Sequence, residues 1–390
     1  MADLPRDSLN VSMFAPWHAR CGIRDYTAHL IDALDDRPEI ASTRVVPAPV
    51  DAVRPGTGAA LAHYLQDARR YRDLGRAMNA GADIAHIQHQ YFIFGGVAPY
   101  KTHVTAFIDA LQVPAVMTVH EIAAAPPPGL LPGLAVGVAN HLNFDRRELK
   151  ALIVHTEADR QRLIEMGIPE ARVHLVRHGV PPALATPDPA AARTALEREY
   201  PEIKGRRVVT LFGFLSIKKG HPVALSALMF LPDDVALIFA GGQHPDDHTD
   251  YVSSVKTVIS YMQPKRTVIT GYLPEERVPE IMAVTDVALA PFLQSSGSGS
   301  LAALLAYGRA VVASDIPPHR ELTAEEPGLL RLFPTGNFED MANEVMAVLN
   351  NPADRESLQQ AALTYAARFT YGRMARETVQ VYQSVLSSAR

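Results

Sequence analysis

The chain holds one cysteine, Cys21, and one tryptophan, Trp17, in 390 residues. A single thiol excludes an internal disulfide and fits a reducing compartment. Basic residues are not in excess: 37 lysines and arginines stand against 42 acidic residues, a formal net charge of −5. That balance argues against the strongly cationic surface of a nucleic-acid binder. No apolar run approaches the ~20 residues needed to span a bilayer, and the apolar stretch from Gly129 to Val138 is far too short. The first residues are polar and show no apolar signal segment. The expected location is the cytoplasm, with room for peripheral contact at the inner membrane surface. Internal repeats and low-complexity tracts are also missing, which excludes solenoids and arrays.

What is present is a rhythm. Short apolar β-type runs, Val11 to Phe14, Arg44 to Pro47, Ile84 to Ile87, Ala115 to Val119, Ala151 to Val154 and Val173 to Val176, alternate with longer segments. Ile23 to Leu34 and Tyr64 to Asn79 are helical candidates among these segments. Continuous apolar strands separated by helices predict a parallel sheet covered on both faces. Pro181 to Arg206 breaks the rhythm with repeated Pro and Ala, a polar helix-like segment and no strand signal, and reads as an interdomain connection. A second series follows at Val208 to Phe212, Val235 to Ala240, Thr267 to Thr270, Val287 to Ala290, Ala310 to Ser314 and Leu329 to Phe333. The remainder is mainly helical. Such a length suits two α/β cores rather than one.

Doubly wound sheets bind ligands at the carboxyl ends of their strands, so the loops after strands carry the chemistry. After the first strand, Gly22 opens a helix whose N–H groups could meet an anion; a plain strand-to-helix turn is the other reading. After Leu211-Phe212 come Gly213 and then Lys218 and Lys219, cations placed to neutralise phosphate. The segment from Ala290 to Leu301 puts Ser295, Gly297, Ser298, Gly299 and Ser300 before an apolar helix, the composition of a phosphate cradle. Gly297, Gly299 and Ala302 also spell a dinucleotide fingerprint, with Asp315 near the place of a ribose-binding acid. A dinucleotide domain begins with its fingerprint, however, and here earlier strand–helix units of the same series precede it. That position argues against NAD.

The fifteen histidines exceed the needs of any one site. His244, Asp246, Asp247, His248 and Asp250 look like a metal cluster but lack helical ligand spacing and cysteine partners, so they read as a solvated loop. No metal is expected. His86 and His89 lie three apart at a strand end and should face opposite sides. Cys21 reads as a small packing residue near a helix start, the alternative being a reactive thiol.

In order and spacing, these segments resemble the family 4 retaining glycosyltransferases, of GT-B fold, over essentially the whole chain. Cys21-Gly22-Ile23 stands where the family carries a glycine pair, and Thr118-Val119-His120 looks like its T-x-H. Val154-His155-Thr156-Glu157 and Val176-Arg177-His178-Gly179-Val180 are similar to its next two strand ends. Gly213 to Gly220 resembles G-R-x4-K-G, and Phe239-Ala240-Gly241-Gly242 and Thr270-Gly271-Tyr272 match the strand ends that follow. Ala306 to Ser314 resembles A-x-G-x-P-V-V-A-S, with Glu321 where an acid often stands, and Met374 to Leu386 looks like the terminal helix.

The resemblance implies an α/β protein of two Rossmann-like, doubly wound parallel-sheet domains facing across a cleft. An acceptor-side domain would cover 1–185 and a nucleotide-sugar-binding domain 186–368, with a helix over 369–390 packing back on the first. It implies transfer of a hexose from a nucleoside-diphosphate sugar to a hydroxyl acceptor (glycan, lipid-linked glycan or small molecule), with retention and without cofactor or metal. Lys219 would be the main cation on the leaving group and His120 would sit under the sugar. Gly22, Lys218, Ser295, Gly297, Ser298, Gly299 and Ser300 would surround the phosphates, and Gly213, Gly271 and Tyr272 would lie along the nucleotide. Trp17, Arg24 and His89 are the candidates for the acceptor.

The departures are as informative. Phe214 stands in the place of the family's arginine, and the two acids of its E-x7-E motif fall on Ser295 and Ala303. Lys218 or Arg24 would have to supply the lost charge. A noncatalytic nucleotide-sugar binder therefore stays open. A nucleotide-sugar epimerase of similar fold would need a carboxylate pair for acid–base work, and no convincing pair is present.

Overall fold

The computed structural model describes residues 8–49, 60–96, 102–123, 130–243, 251–262 and 266–388. The chain divides into two compact units, Met1–Arg177 with Tyr371–Arg390, and His178–Thr370.

Unit 1 is built on strands β1 (Leu9–Ala15), β2 (Ile40–Pro47), β3 (Ile84–His89), β4 (Ala115–Val119), β5 (Leu149–Val154) and β6 (Val173–Leu175). They form one parallel sheet in the order β2-β1-β3-β4-β5-β6. Every residue of β3 and β4 is buried, because helices cover both faces of the sheet. That is why β4 reads as a nearly continuous apolar run, while β3 mixes apolar residues with buried His86, Gln88 and His89. The edge strand β2 is buried only at Ile40 and Val46 and alternates part-buried with exposed positions between them.

Unit 2 repeats the plan with β7 (Arg207–Phe212), β8 (Val235–Ala240), β9 (Thr267–Ile269), β10 (Val287–Ala290), β11 (Val311–Ser314) and β12 (Arg331–Phe333). The order is β12-β11-β10-β7-β8-β9, again parallel. Chain order reverses between β7 and β10, so the loops that follow these two strands flank the switch point where doubly wound sheets bind ligands.

The stretch expected as a connection holds a helix, Pro189–Glu199, whose N-cap Asp188 accepts from the Ala191 N–H. Its Ala192 and Leu196 are buried with Ile203, Val208 and Ile238 in the core of unit 2. Near the other end, helix Tyr371–Ser388 belongs to unit 1. Tyr371, Met374, Ala375, Thr378, Val379, Tyr382 and Val385 form its buried stripe, the three-and-four spacing of an amphipathic helix. They pack with Tyr26, Leu30 and Leu34 of helix Gly22–Asp35.

Two glycines let the loops of unit 2 close on one another. Gly220 has φ +74, and a Cβ there would run into the Pro291 carbonyl oxygen. A Cβ on Gly241 would meet the Gly213 carbonyl oxygen. Gly328 has a similar φ of +80 but open space around it. Gly328→Ala should therefore cost only the strain of a positive φ, on the order of 1 kcal/mol. Gly220→Ala adds a clash with backbone and should lower the urea midpoint clearly further. Equal midpoints for the two variants would show that the close approach is not a constraint.

Candidate functional site

Lys219 is the centre of the arrangement in unit 2. It ends a 3-10 turn, Ile217–Lys219, that Gly220 closes in the left-handed region. The Leu293 N–H donates to the Lys218 carbonyl at 2.9 Å, which ties this turn to the loop after β10. Lys219 Nζ donates to Ser300 Oγ at 2.5 Å and Ser298 Oγ at 3.3 Å, and lies 4.0 Å from the Phe292 ring centroid. Among the described residues no carboxylate pairs with it. Part of the side chain remains accessible, but its ammonium end is poorly hydrated, and burial pushes its pKa down to about 7.

Two histidines stand near it without adding charge. His221 and His319 are buried, and their Nδ1 atoms lie 3.1 Å from the Ser216 carbonyl and 2.7 Å from the Ser314 carbonyl. A carbonyl only accepts, so each Nδ1 carries the hydrogen and each Nε2 a lone pair. Both Nε2 atoms are buried without a partner. Burial pushes both imidazoles down to about 4, so near neutral pH they do not repel the ammonium. Neither histidine was expected from the sequence; His221 follows Lys219 by two residues, and His319 comes near it only when the loop after β11 meets the loop after β7.

Helix Gly299–Ala306 points its first turn at the same place. Its N-cap Ser298 accepts from the Leu301 N–H, while the N–H groups of Gly299 and Ser300 find no acceptor among the described residues. A helix start with open donors beside a cation is an anion site. His178 Nε2 is 4.0 Å from where a Gly299 Cβ would stand, and its Nδ1 is 2.7 Å from the Gly179 carbonyl. Gly213, at φ +114, leaves room for Ser300, whose Cβ would otherwise be 3.0 Å away. Ser295 is turned aside: its Oγ donates to the Ser296 carbonyl at 2.8 Å. Gly297 is part-buried in the same loop. Lys218 is exposed next to Lys219.

At the neighbouring strand ends, Gly271 takes φ +73 and Tyr272 is exposed. The Tyr272 ring lies nearly parallel to Phe214, with centroids 6.4 Å apart. Asp315, the other acid of interest, is held by Arg320 at 2.5 Å. The dinucleotide reading fails on topology: residues 291–298 separate β10 from its helix, and the first strand of this sheet is followed by the Gly213 loop instead.

In unit 1, His120 follows β4 and is half-buried. Its Nε2 is 2.8 Å from Gln88 Oε1, the Tyr26 ring meets it edge-on at 4.7 Å, and the His155 ring lies 5.8 Å away. Gly22 is exposed at the start of its helix, with open space for a side chain. Trp17 is part-buried against the unit 1 core, with the Arg24 guanidinium 5.8 Å from its ring. Arg24 itself is exposed and paired with Asp25 at 3.0 Å. Cys21 is buried.

The expectation for His89 needs correction. It is fully buried, its Nε2 lies 2.8 Å from Asn143 Oδ1, and Tyr91, Phe94 and Phe144 surround it. The sheet is covered on both sides, so the strand end offers no accessible face for an acceptor. His86 faces the other side, toward Tyr382. Tyr91, Ile93 and Phe94 are likewise core. Among the described residues no group of histidine, cysteine, aspartate and glutamate could hold a metal ion, and the cluster at 244–250 lies outside them. No described helix is long and apolar enough to cross a membrane.

Comparison with known proteins matches both units. The Glycosyltransferase Family 4 profile covers residues 19–184, and the Glycosyl transferases group 1 profile covers residues 206–351. A phosphatidyl-myo-inositol mannosyltransferase of Mycobacterium leprae is 27% identical over 48% of this chain and 49% of its own. A 2-deoxystreptamine glucosyltransferase of Streptomyces kanamyceticus is 25% identical over 48% of each. The chain thus spans about half the length of the curated relatives it matches. Among solved structures, Anabaena Alr3699/HepE in complex with UDP and glucose superposes with a TM-score of 0.70 over 96% of this chain and 100% of its own, at 16% identity. The sucrose-phosphate synthase of Thermosynechococcus elongatus gives 0.73 over 97% and 100%, at 14% identity. The fold is therefore GT-B, with two Rossmann-like units.

The lowered pKa of Lys219 has a consequence for stability. Between about pH 7 and the ~10.4 of a free lysine, the folded state binds fewer protons here than the unfolded chain. The penalty is full below pH 7 and disappears as pH rises through that window. Lys219→Met should unfold at a higher urea midpoint than wild type at pH 6, with the gap closing toward pH 10. Identical midpoints at pH 6 would show that the ammonium is well solvated where it stands.

Proposed function

We propose, from the premise that the chain belongs to the family 4 glycosyltransferases, that it moves a hexose from a nucleoside-diphosphate sugar to a hydroxyl acceptor with retention. The observation that carries this reading is Lys219, a poorly hydrated ammonium with hydroxyls, a ring face and open helix N–H groups around it but, among the described residues, no carboxylate. A diphosphate supplies the missing countercharge. Its own charge grows as the sugar–phosphate bond breaks, so the same ammonium stabilises the departing group more than the intact donor.

In this reading the phosphates lie against Lys219, Gly299 and Ser300, with Lys218 as the second cation, and no metal is required. The nucleoside runs along Gly213, Gly271 and Tyr272. His120 holds the sugar, and Trp17 and Arg24 meet the acceptor. The absence of an excess basic charge and the single thiol support a cytoplasmic enzyme that acts on a hydroxyl compound, with peripheral membrane contact if that acceptor is lipid-linked. A noncatalytic donor binder is the second reading, favoured by Ser295 and Ala303 in place of the family's acids.

A thermal-shift screen with UDP, GDP, ADP, TDP and NAD should show stabilisation by one nucleoside diphosphate and none by NAD. A ligand at 100 times its Kd stabilises by about 2.7 kcal/mol. Lys219→Ala should abolish that shift, and the sugar form of the same nucleotide should be consumed with release of nucleotide. A shift with NAD alone overturns the proposal. A nucleoside-diphosphate shift with neither transfer nor donor hydrolysis favours the noncatalytic binder.

A further inference from the structure

We propose that Lys219 is also a modification site, an amine that small acyl phosphates acylate because the same cradle holds their phosphate beside it. That acylation silences sugar transfer rests on the reading above; the modification itself follows from unit 2 alone.

The cradle joins two features that such a reaction needs. Helix Gly299–Ala306 opens with the N–H groups of Gly299 and Ser300, which meet no acceptor among the described residues, a start that suits an anion. Ser300 also touches the amine, with its Oγ 2.5 Å from Lys219 Nζ. An anion held on the Ser300 N–H therefore stands next to the nitrogen. The other neighbours do not fix the charge of that nitrogen. Ser298 Oγ is 3.3 Å away, and the two hydroxyl oxygens lie 3.1 Å from each other. A hydroxyl accepts from an ammonium and donates to an amine, so either state is tolerated. The Phe292 face lies at 4.0 Å in place of water. The titratable groups that reach Lys219 electrostatically are His221 and His319, which burial keeps neutral near pH 7. His178 and the exposed Lys218 flank the cradle. Burial draws the pKa of Lys219 itself down to about 7, so a large share of the amine is uncharged near neutral pH. A fully hydrated lysine keeps its proton there except for a trace.

An acyl phosphate joins an anion to an activated carbonyl in one small molecule. Seating the phosphate on the helix start sets the carbonyl carbon against Nζ, which replaces a chance encounter by a held one. The neutral amine adds its electron pair to that carbon, and an N–C bond forms. The C–O bond to phosphate then breaks. Its electron pair leaves with the phosphate oxygen, where the open N–H groups meet the growing charge. The nitrogen passes its surplus proton to the departing group, so the products are an amide on Lys219 and hydrogen phosphate. The amide is uncharged and bulkier than the amine. A nucleoside diphosphate would then meet a cradle without its main cation, and the acyl phosphate acts as a brake on transfer.

The test uses the full chain and acetyl phosphate at about pH 7.5, read by peptide mass spectrometry. Lys219 should be acetylated about tenfold or more faster than Lys150, Lys204 and Lys256, which are exposed. The advantage should shrink toward about pH 10, where hydrated amines also lose their protons. Inorganic phosphate should protect Lys219 and leave the exposed lysines as they were. Gly299→Pro keeps the helix start but removes one open N–H. It should slow acetylation of Lys219 by acetyl phosphate, and not by the N-hydroxysuccinimide ester of acetate, an acyl donor without phosphate. Acetylated protein should lose its nucleoside-diphosphate thermal shift in proportion to the modified fraction. Modification of Lys219 no faster than of the exposed lysines overturns the proposal, and this measurement needs no variant to fold. So does equal selectivity from the phosphate-free donor, which leaves the cradle no role. A full nucleotide shift from acetylated protein overturns the brake. If Lys219 is selectively acetylated but no nucleotide binds and no donor is ever consumed, the transferase reading fails while the modification site stands.

Discussion

An ammonium group drawn partly out of water, with no carboxylate to balance it among the described residues, is the constraint around which the loops of unit 2 are arranged. The described groups around Lys219 are compatible with a cation yet do not compensate its charge: two serine hydroxyls, a phenylalanine face and two imidazoles kept neutral by burial. Placing it there requires the loops after β7, β8 and β10 to come closer than side chains allow, which is why Gly213, Gly220 and Gly241 stand where they do. An acid in the place of Ser295 or Ala303 could have competed with an incoming phosphate for the lysine. Neither Ser295 nor Ala303 carries a charge that could do so.

Unit 1 solves a different problem. Its central strands are apolar and covered on both sides, yet His86, Gln88, Thr118 and Tyr382 are polar and fully buried among them. Buried polar groups are tolerable only when each has a partner. Here His86 bridges Tyr382 at 2.6 Å and Thr118 at 2.8 Å, and Gln88 bridges Met13 and His120. Among these residues His120 is the one that is part-buried rather than fully buried.

Much of this was legible in the sequence. Ala115–Val119, Val235–Ala240 and Val287–Ala290 form at the expected bounds, because a strand buried on both faces is a clean apolar run between turn residues. The start of β2 was missed since Ile40 to Thr43 alternate with accessible positions on a sheet edge. The helix Pro189–Glu199 was legible as a polar helix-like segment, but only Ala192 and Leu196 mark its buried side, so its place in the core of unit 2 was not. The loops of the site could be located, because strand ends are where doubly wound sheets bind. Their partnerships could not. That Lys219 would meet Ser300, or Gln88 would meet His120, depends on side chains brought together from different strand ends, and no local pattern encodes it. His89 was misplaced for a related reason: strand periodicity assigns a face but does not say whether a helix covers it.

Helix Tyr371–Ser388 has a consequence for the order in which the chain can fold during synthesis. Unit 2 is one contiguous stretch and has all its strands and helices once Thr370 has been made. Unit 1 has its whole sheet much earlier but must wait for Met374, Tyr382 and Val385 to cover it and to give His86 its partner. The half that is translated first is therefore completed last. Until then, one face of its sheet lacks part of its cover, and the ribosome emits a finished domain behind an unfinished one.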